Sequence, residues 1–391
     1  MEQVKIYASI IDEVTKKQVE DLAASEAYKN SIIRIMPDCH AGKGCTIGSV
    51  IKYKNRVIPN TVGVDIGCGM TVVSLGNIDV DLKKLDEVVD TSIPSGFNIH
   101  ETPVTEYKAQ WNADFPQEKL EYTQWSIGTL GGGNHFIELD EDDIHNKYLV
   151  IHSGSRNLGV LICNYWQELT VSKLTDDSEI RKELIARLKS EGRKKEIDTQ
   201  LKMIQKPKIN KELAYLEGYS LDNYIEDVKH CQEYASLNRF TMASIICGKM
   251  NWTVLSMFET IHNYIDIPNK IIRKGAVKAE MDEMLIIPMN MRDGSLICIG
   301  KGNPEWLSSA PHGAGRIMSR AQAKQTVKLE DFKESMKGIY TTSVCKETLD
   351  EAPIVYKAAN IIMQDIKDTV NVVKIIKPLW NFKAKTPDNI Y

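Results

Sequence analysis

Short apolar runs rich in β-branched residues alternate with glycine-containing turns in the first 75 residues of the chain. This pattern predicts strands near residues 32–36, 45–53 and 71–75 that are joined by loops. Two further apolar runs, at 136–139 and 148–152, predict strands after an amphipathic helical segment. We therefore expect a strand-rich N-terminal part whose loops carry the polar residues.

The middle of the chain has a different pattern. From about residue 157 to 258 glycine is scarce, and Leu, Ile, Ala, Lys and Glu recur with helical spacing. The strand pattern returns at 276–281, 284–288 and 296–300, and a helix is predicted to begin at Gly313.

Strands at both ends with helices between them predict an α+β fold, with a β-sheet core and surrounding helices. We expect one catalytic domain over residues 1–391, interrupted by a largely helical insertion at about 157–258.

Composition narrows the class of protein. Hydrophobic residues make up 42% of the chain and charged residues 26%, which is typical of a globular protein and excludes general disorder. No apolar stretch reaches the 18 residues that a membrane span requires, so we expect no membrane association. The eight cysteines show no dense spacing, which favours reduced thiols and a cytoplasmic location.

Charge is unevenly distributed along the chain. The net charge of -4 argues against a protein that binds polyanions over its whole surface. Residues 181–211, however, contain eleven Lys or Arg against four acidic residues. The segment is interpreted equally well as a solvated helix face or as a contact for an RNA backbone.

Five of the eight histidines lie beside small or amide residues in short polar motifs: His40, His135, His152, His262 and His312. Asp65 and Cys68 lie three residues apart in a glycine-containing turn, which could present a carboxylate and a thiolate together. With His135, His152 and His262 they form a mixed O, S and N ligand set that suits Mn²⁺, Zn²⁺ or Co²⁺ better than an all-oxygen ion. Each residue alone could instead be an ordinary buried side chain.

The motif His312-Gly313-Ala314-Gly315-Arg316 combines an imidazole, small residues and a guanidinium. Small residues let a phosphate approach backbone N–H groups, and arginine can hold a phosphate by two hydrogen bonds. His312 could act as a nucleophile toward phosphorus or as a general acid or base, and the spacing leaves both roles open.

These motifs, together with residues 38–48, 128–138 and 234–239, resemble in the same order those of the RtcB family of RNA ligases. The resemblance extends over residues 32–383. It implies the family's mixed fold and an enzyme that uses GTP and Mn²⁺, with two ions. Such an enzyme joins an RNA 3′-phosphate or 2′,3′-cyclic phosphate to a 5′-hydroxyl in RNA repair or tRNA splicing. It also implies a possible activating protein of the archease type.

The resemblance assigns His312 as the residue that becomes guanylylated, giving His-GMP and then an RNA 3′-phosphate–GMP intermediate. Asp65, Cys68, His135, His152 and His262 match the family's Mn²⁺ ligands. Asp38 and His40 are expected to support the ligands or to contact the RNA end. The implied nucleotide-binding residues are Asn134, His135, Phe136, Ile137, Glu138, His262, Asn263, Pro288, Met289, Asn290, Met291, Ser295, His312, Gly313, Ala314, Gly315 and Lys383.

The segment 288–293 departs from the family pattern, because Met289, Asn290, Arg292 and Asp293 replace a small, flexible loop with bulkier and charged residues. The sequence allows two alternatives to a ligase. One is a Mn²⁺-dependent phosphohydrolase of terminal or cyclic RNA phosphates, which would not need an adduct on His312. The other is a non-catalytic protein that binds RNA ends, which the altered segment favours.

Overall fold

The computed structural model of the chain describes residues 3–204 and 208–385. Its N-terminal elements are β1 (Val4–Ile6), α1 (Glu13–Ala24), β2 (Ile32–His40), β3 (Ile47–Lys52), β4 (Arg56–Val57), β5 (Gly69–Gly76), α2 (Leu82–Ser92), α3 (Gln117–Trp125), β6 (Phe136–Glu141) and β7 (Lys147–Ser153). The middle elements are α4 (Arg156–Leu174), α5 (Ser178–Ser190), α6 (Ile197–Met203), β8 (Leu216–Glu217) and α7 (Gly218–Met250).

The C-terminal elements are β9 (Ser256–Ile261), β10 (Asn263–Asp266), β11 (Ile271–Lys274), β12 (Ala276–Lys278), β13 (Met284–Asn290), β14 (Gly294–Gly300), β15 (Ser309–Pro311), α8 (Arg320–Thr326), α9 (Leu329–Ser335), β16 (Tyr340–Thr341), α10 (Ala359–Asp365) and β17 (Val370–Phe382). The prediction of a mixed α+β fold with a sheet core is confirmed.

Two sheets organise the described residues. The larger has the order β13-β14-β17-β6-β7-β5-β9, with β16 added beside β17, and the smaller has the order β1-β2-β3-β11-β10. The chain passes from the larger sheet to the smaller at His262, which lies between β9 and β10. A residue at this junction can therefore contact loops from both sheets.

The central strands β5, β6 and β7 of the large sheet are buried on both faces because their side chains alternate between two apolar clusters. Ile137 and Leu139 of β6 pack on one face with Met242 of α7 and with Trp380. On the opposite face, Phe136 belongs to a cluster that includes Ile376 of the adjacent strand β17 and Ile286 of β13.

Helix α7 connects the two halves of the core. Its 33 residues extend about 50 Å at 1.5 Å per residue. Tyr224 and Val228 pack in the cluster that includes α4, while Met242 and Ile246 pack against the large sheet. The carboxylate of Asp227 accepts hydrogen bonds from the backbone N–H groups of residues 112 and 113 and from Trp166.

The predicted helical region ends earlier than expected. Helix α7 stops at Met250, where Asn251 adopts a left-handed backbone conformation, and β9 begins at Ser256 inside the region expected to be helical. β9 pairs with β5 along its whole length and forms an edge of the large sheet.

The prediction that a helix begins at Gly313 was wrong. Gly315 has φ +72°, a left-handed conformation that interrupts an α-helix, and a Cβ there would lie 2.5 Å from the Asp38 carbonyl oxygen. The next helix, α8, begins only after Ser319, whose side chain accepts a hydrogen bond from the Gln322 N–H.

Among the described residues, no helix has both the length and the apolar character needed to cross a bilayer.

Leu149 tests the contribution of the large sheet to stability, since its side chain is fully buried in the cluster between the sheet and α7. We expect Leu149→Ala to lower the free energy of unfolding by about 2–5 kcal/mol, measured by urea denaturation. Ile144→Ala is the matched control, because Ile144 is 65% exposed and should change stability by less than about 0.5 kcal/mol. Equal losses in the two variants would contradict this description of the core.

Candidate metal and nucleotide site

Strand register brings four predicted metal ligands to one end of the large sheet. Gly69 of β5 pairs with Ser153 of β7 and with Ile261 of β9, and Phe136 of β6 pairs with His152. Cys68, His135 and His262 each lie next to one of these paired residues in sequence. His152 itself lies on β7, so the five ligands come from β7 and from loops that start or end at two adjacent rows of the sheet.

The ligand atoms form two groups that share Cys68. One group contains Cys68, His152 and His262, and the other contains Asp65, Cys68 and His135. Cys68 Sγ lies 3.3 Å from His152 Nε2 and 3.5 Å from His135 Nε2. His152 Nε2 lies 3.3 Å from His262 Nε2, and His135 Nε2 lies 2.9 Å from Asp65 Oδ2.

The hydrogen bonds of the rings fit metal binding. His135 Nδ1 lies 2.9 Å from the Leu130 carbonyl oxygen and His152 Nδ1 lies 3.2 Å from that of Asn134, so each donates from Nδ1 and keeps an electron pair on Nε2. Those electron pairs face the Asp65 carboxylate and the Cys68 sulfur. A proton or a metal ion must lie between them, and the mixed O, S and N donors suit a borderline divalent ion.

Burial sets the protonation of the ligands. It raises the pKa of the Cys68 thiol well above its usual value, and the neighbouring Asp65 charge adds to this effect. It lowers the pKa of His152 and of His262 well below their usual values, which keeps these imidazoles in the neutral form that binds metals. Burial alone would raise the pKa of Asp65, but the neighbouring His135 ring and the Cys68 thiol outweigh it and lower that pKa. A metal must therefore displace the thiol proton.

Helix α7 holds the ligand loops through two adjacent residues. Arg239 Nη1 donates to the carbonyl oxygens of Gly67 and Ser153, each at 2.8 Å. Asn238 Oδ1 accepts from the backbone N–H groups of residues 128 and 129, and its Nδ2 donates to the Gly154 carbonyl oxygen at 3.1 Å. One helix therefore fixes the loops that present Cys68, His135 and His152.

A cavity of about 360 Å³ opens beside the ligands. The predicted site residues that line it are Asp65, Cys68, Asn134, Phe136, Glu138, His152, His262, Asn263, Pro288, Met289, Asn290, Met291, His312, Gly313, Ala314, Gly315 and Lys383. Three others do not line it: His135 is buried in the ligand group with Asp65 and Cys68, Ile137 packs on the helix-covered face of the sheet, and Ser295 is buried within β14. His40 also lines the cavity.

His312 lies at the wall of this cavity in a fixed orientation. Its Nδ1 lies 2.5 Å from Asp38 Oδ2, which also accepts the His312 backbone N–H at 3.1 Å. Asp38 is fully buried, so its carboxylate keeps the proton on Nδ1 and leaves Nε2 as the nucleophilic atom. The His312 ring centroid is 4.9 Å from that of His262, one of the metal ligands.

Sequence reasoning missed a group of ionic residues that line the same cavity. Glu351 contacts Arg320 Nη1 at 2.7 Å, Lys383 Nζ at 3.0 Å and Arg316 Nη1 at 3.4 Å. The Tyr356 hydroxyl also donates to Glu351. Burial opposes the charge of Glu351, but Lys383, Arg320 and Arg316 together hold its pKa well below the usual range. Of this group, the sequence motifs predicted site roles for Arg316 and Lys383.

Glu138 differs from Glu351 because only one nearby cation, Lys383, offsets the cost of burying its charge. It is 3% exposed, and burial raises its pKa to about 8 although the Lys383 charge partly opposes the shift. Asp140 lies two residues further along the same face of β6, fully buried. Burial, followed by the Glu138 charge, raises the Asp140 pKa well above its usual value.

The altered segment 288–293 forms an ordered turn between β13 and β14. Asn290 Oδ1 accepts from the backbone N–H groups of Arg292 and Asp293, and these two residues form an ion pair at 2.7 Å. Met289 of β13 is buried in the core, which accommodates its larger side chain, and Met291 is buried as well. Pro288 still offers its carbonyl oxygen to the Ala314 N–H at 3.1 Å.

Gly154 provides a test of the ligand arrangement. A Cβ at Gly154 would lie 2.0 Å from Asp65 Oδ1, whereas a Cβ at Gly248 would meet no atom within 4 Å. We expect Gly154→Ala to displace the Asp65 side chain and to weaken Mn²⁺ binding at least about tenfold, measured by titration calorimetry. Gly248→Ala should bind Mn²⁺ like the unaltered protein. Unchanged affinity in Gly154→Ala would contradict a role for Asp65 as a ligand.

Comparison with known proteins agrees with this geometry. The family profile described as "tRNA-splicing ligase RtcB" matches residues 18–123 and 105–384. The chain is 32% identical over 387 residues to the RNA-splicing ligase RtcB of Escherichia coli strain K12, covering 88% of both chains. It is 26% identical over 433 residues to the tRNA-splicing ligase RtcB of Aeropyrum pernix, covering 84% of this chain and 83% of the relative. The chain belongs to the RtcB family.

Proposed function

We propose that this protein is a GTP- and Mn²⁺-dependent RNA ligase that joins a 3′-phosphate or 2′,3′-cyclic phosphate end to a 5′-hydroxyl end, in RNA repair or tRNA splicing. Membership of the RtcB family and the names of its relatives support an RNA-joining activity. The observation that carries the proposal is the fixed His312 imidazole, held by Asp38 beside the metal-ligand groups.

The first step is nucleotidyl transfer to His312. Its Nε2 attacks the α-phosphorus of GTP, the bond to the β-phosphate breaks, and pyrophosphate leaves. The Asp38 carboxylate accepts the hydrogen bond from Nδ1 and stabilises the positive charge that develops on the ring. GMP then passes to the RNA 3′-phosphate, the 5′-hydroxyl attacks that phosphorus, and GMP leaves. A cyclic phosphate would be opened by hydrolysis before activation.

Asp65, Cys68, His135, His152 and His262 would hold the metal. The two ligand groups that share Cys68 support two ions. Bound Mn²⁺ would stabilise negative charge on the phosphate oxygens during these transfers.

Recognition of guanine is assigned to the wall formed by Phe136, Glu138 and Lys383. The Glu138 carboxylate can accept two guanine N–H groups, and Lys383 can donate to the guanine O6. Lys383 Nζ lies 5.4 Å from the Phe136 ring centroid, which places these groups around one volume of the cavity.

We also propose that the protein acts in the cytoplasm and that an activating protein of the archease type assists it. All eight cysteines are unpaired, which is compatible with a reducing compartment. Turnover assays with and without the activating protein would test its role.

The nucleotidyl-transfer step is tested with α-labelled GTP and MnCl₂. We expect the unaltered protein to form an acid-labile, alkali-stable adduct, and His312→Ala to form none, because a phosphoramidate requires the imidazole. His145→Ala is the matched control, since the His145 side chain is 70% exposed and should not affect labelling. Phosphate release from RNA ends that survives in His312→Ala would favour the phosphohydrolase instead.

The raised pKa of Glu138 predicts a pH dependence of guanine binding. A group with a pKa of about 8 is mostly protonated below that pH, and only the carboxylate can accept both guanine N–H groups. GTP affinity, measured in EDTA to prevent turnover, should therefore rise as pH increases from 6.5 to 8.5, by up to roughly tenfold per unit. Glu138→Gln should bind GTP weakly at every pH. A flat profile for the unaltered protein would contradict base recognition by Glu138.

A further inference from the structure

Residues 178–204 and 208–211 form a surface feature that we call the basic lobe. It consists of α5, a short 3-10 helix at Lys194–Glu196, α6 and residues 208–211. Within the described residues of the lobe's three helical elements, Leu188 is the only buried side chain. The lobe therefore contributes little to the protein core. Lys206 of the same basic segment lies outside the described residues.

Ion pairs neutralise only part of the positive charge of the lobe. Arg181 contacts Asp177, Lys182 contacts Glu179, and Arg193 contacts both Glu191 and Glu196. The cations that are exposed and form no ion pair within the described residues are Arg187, Lys189, Lys194, Lys195, Lys202, Lys208 and Lys211. Two acidic residues of the lobe, Glu183 and Asp198, also form no ion pair within the described residues. A large positive surplus faces solvent on a chain whose net charge is -4.

The C-terminal end of the lobe is fixed beside the cavity. Asn60, which lines the cavity, donates from Nδ2 to the Glu212 carbonyl oxygen at 3.0 Å and to Glu212 Oε2 at 2.9 Å. Gln167 joins the same contact, because its Nε2 donates to the Lys211 carbonyl oxygen and its Oε1 accepts from the Asn60 N–H. Lys211 therefore lies next to this wall of the cavity.

The cavity residues near Asn60 are also positively charged. Lys43 lines the cavity and is exposed. Lys274 Nζ donates to the carbonyl oxygens of Lys43 and Asn60 and has no carboxylate partner among the described residues. Unpaired cations thus run from the cavity wall at Lys43 and Lys274 to Lys211 and the lobe.

We propose that the basic lobe binds the phosphate backbone of the substrate RNA at nucleotides beyond the end that occupies the cavity. The inference rests on the proposed function for the identity of the cavity's substrate. Its support is the unpaired, exposed charge together with the attachment of the lobe at Asn60. Contacts with phosphates are independent of base sequence, so the lobe would add affinity for longer RNA without adding sequence preference.

Charge reversal on the lobe tests this proposal. Lys189→Glu/Lys194→Glu/Lys195→Glu would be compared with Lys83→Glu/Lys84→Glu/Lys249→Glu, a control with the same change of net charge at exposed positions that do not line the cavity. Binding would be measured in EDTA without GTP, for a 20-nucleotide RNA and a trinucleotide, each with a 3′-phosphate.

For the lobe variant, we expect affinity for the 20-nucleotide RNA to fall about tenfold or more. The slope of log affinity against log salt should decrease by about 2, since each lost phosphate contact contributes roughly 0.7 in single strands. Trinucleotide binding and His312 labelling should remain unchanged, which separates this result from a failure of the ligase proposal. Unchanged binding of the long RNA, or an equal loss in the control variant, would overturn the proposal; the first outcome would leave an acidic protein as the partner to test.

Discussion

The register of four antiparallel strands is the constraint on which the site depends. Gly69 stands opposite Ser153 and Ile261, and Phe136 stands opposite His152, so residues far apart in sequence lie in two adjacent rows. A slip of one residue would turn every side chain of a strand to the opposite face. Such a slip would also move the apolar residues out of the two clusters that cover the sheet. The packing that stabilises the fold therefore also fixes where the ligand loops begin and end.

Loops need further support, since the register fixes only their ends. Asn238 and Arg239 supply it by satisfying backbone groups of three loops from one position on α7. Arg239 is itself buried and contacts Glu259 at 3.1 Å, so its charge is compensated where it lies. The apolar half of α7 anchors the helix to the sheet. Ligand geometry and core packing are thus coupled through a single helix.

The sequence predicted which residues form the site better than it predicted the contacts between them. The strands β2, β3, β5, β6 and β7 followed from short apolar runs rich in β-branched residues, and the histidines His135, His152 and His262 do converge with Cys68. The direct contact between Asp38 and His312 spans 274 positions, and periodicity carries no information about such pairs. The same holds for Glu351, whose partners lie on separate segments. The helix expected at Gly313 failed because backbone geometry at Gly315 depends on the nearby Asp38 carbonyl, a tertiary contact.

Two groups of side chains with different electrostatic character line the cavity, and His312 lies beside the first. The first group contains the thiol, imidazole and carboxylate ligands, which need a cation to separate their electron pairs. The second contains Arg316, Arg320 and Lys383, which all contact Glu351 and so already have an anionic partner. A phosphate that enters the cavity would gain from these cations, and Arg320 is the most accessible of them because its side chain is 43% exposed. Since Glu351 holds the cations in place before any ligand arrives, less conformational entropy is lost when a phosphate binds.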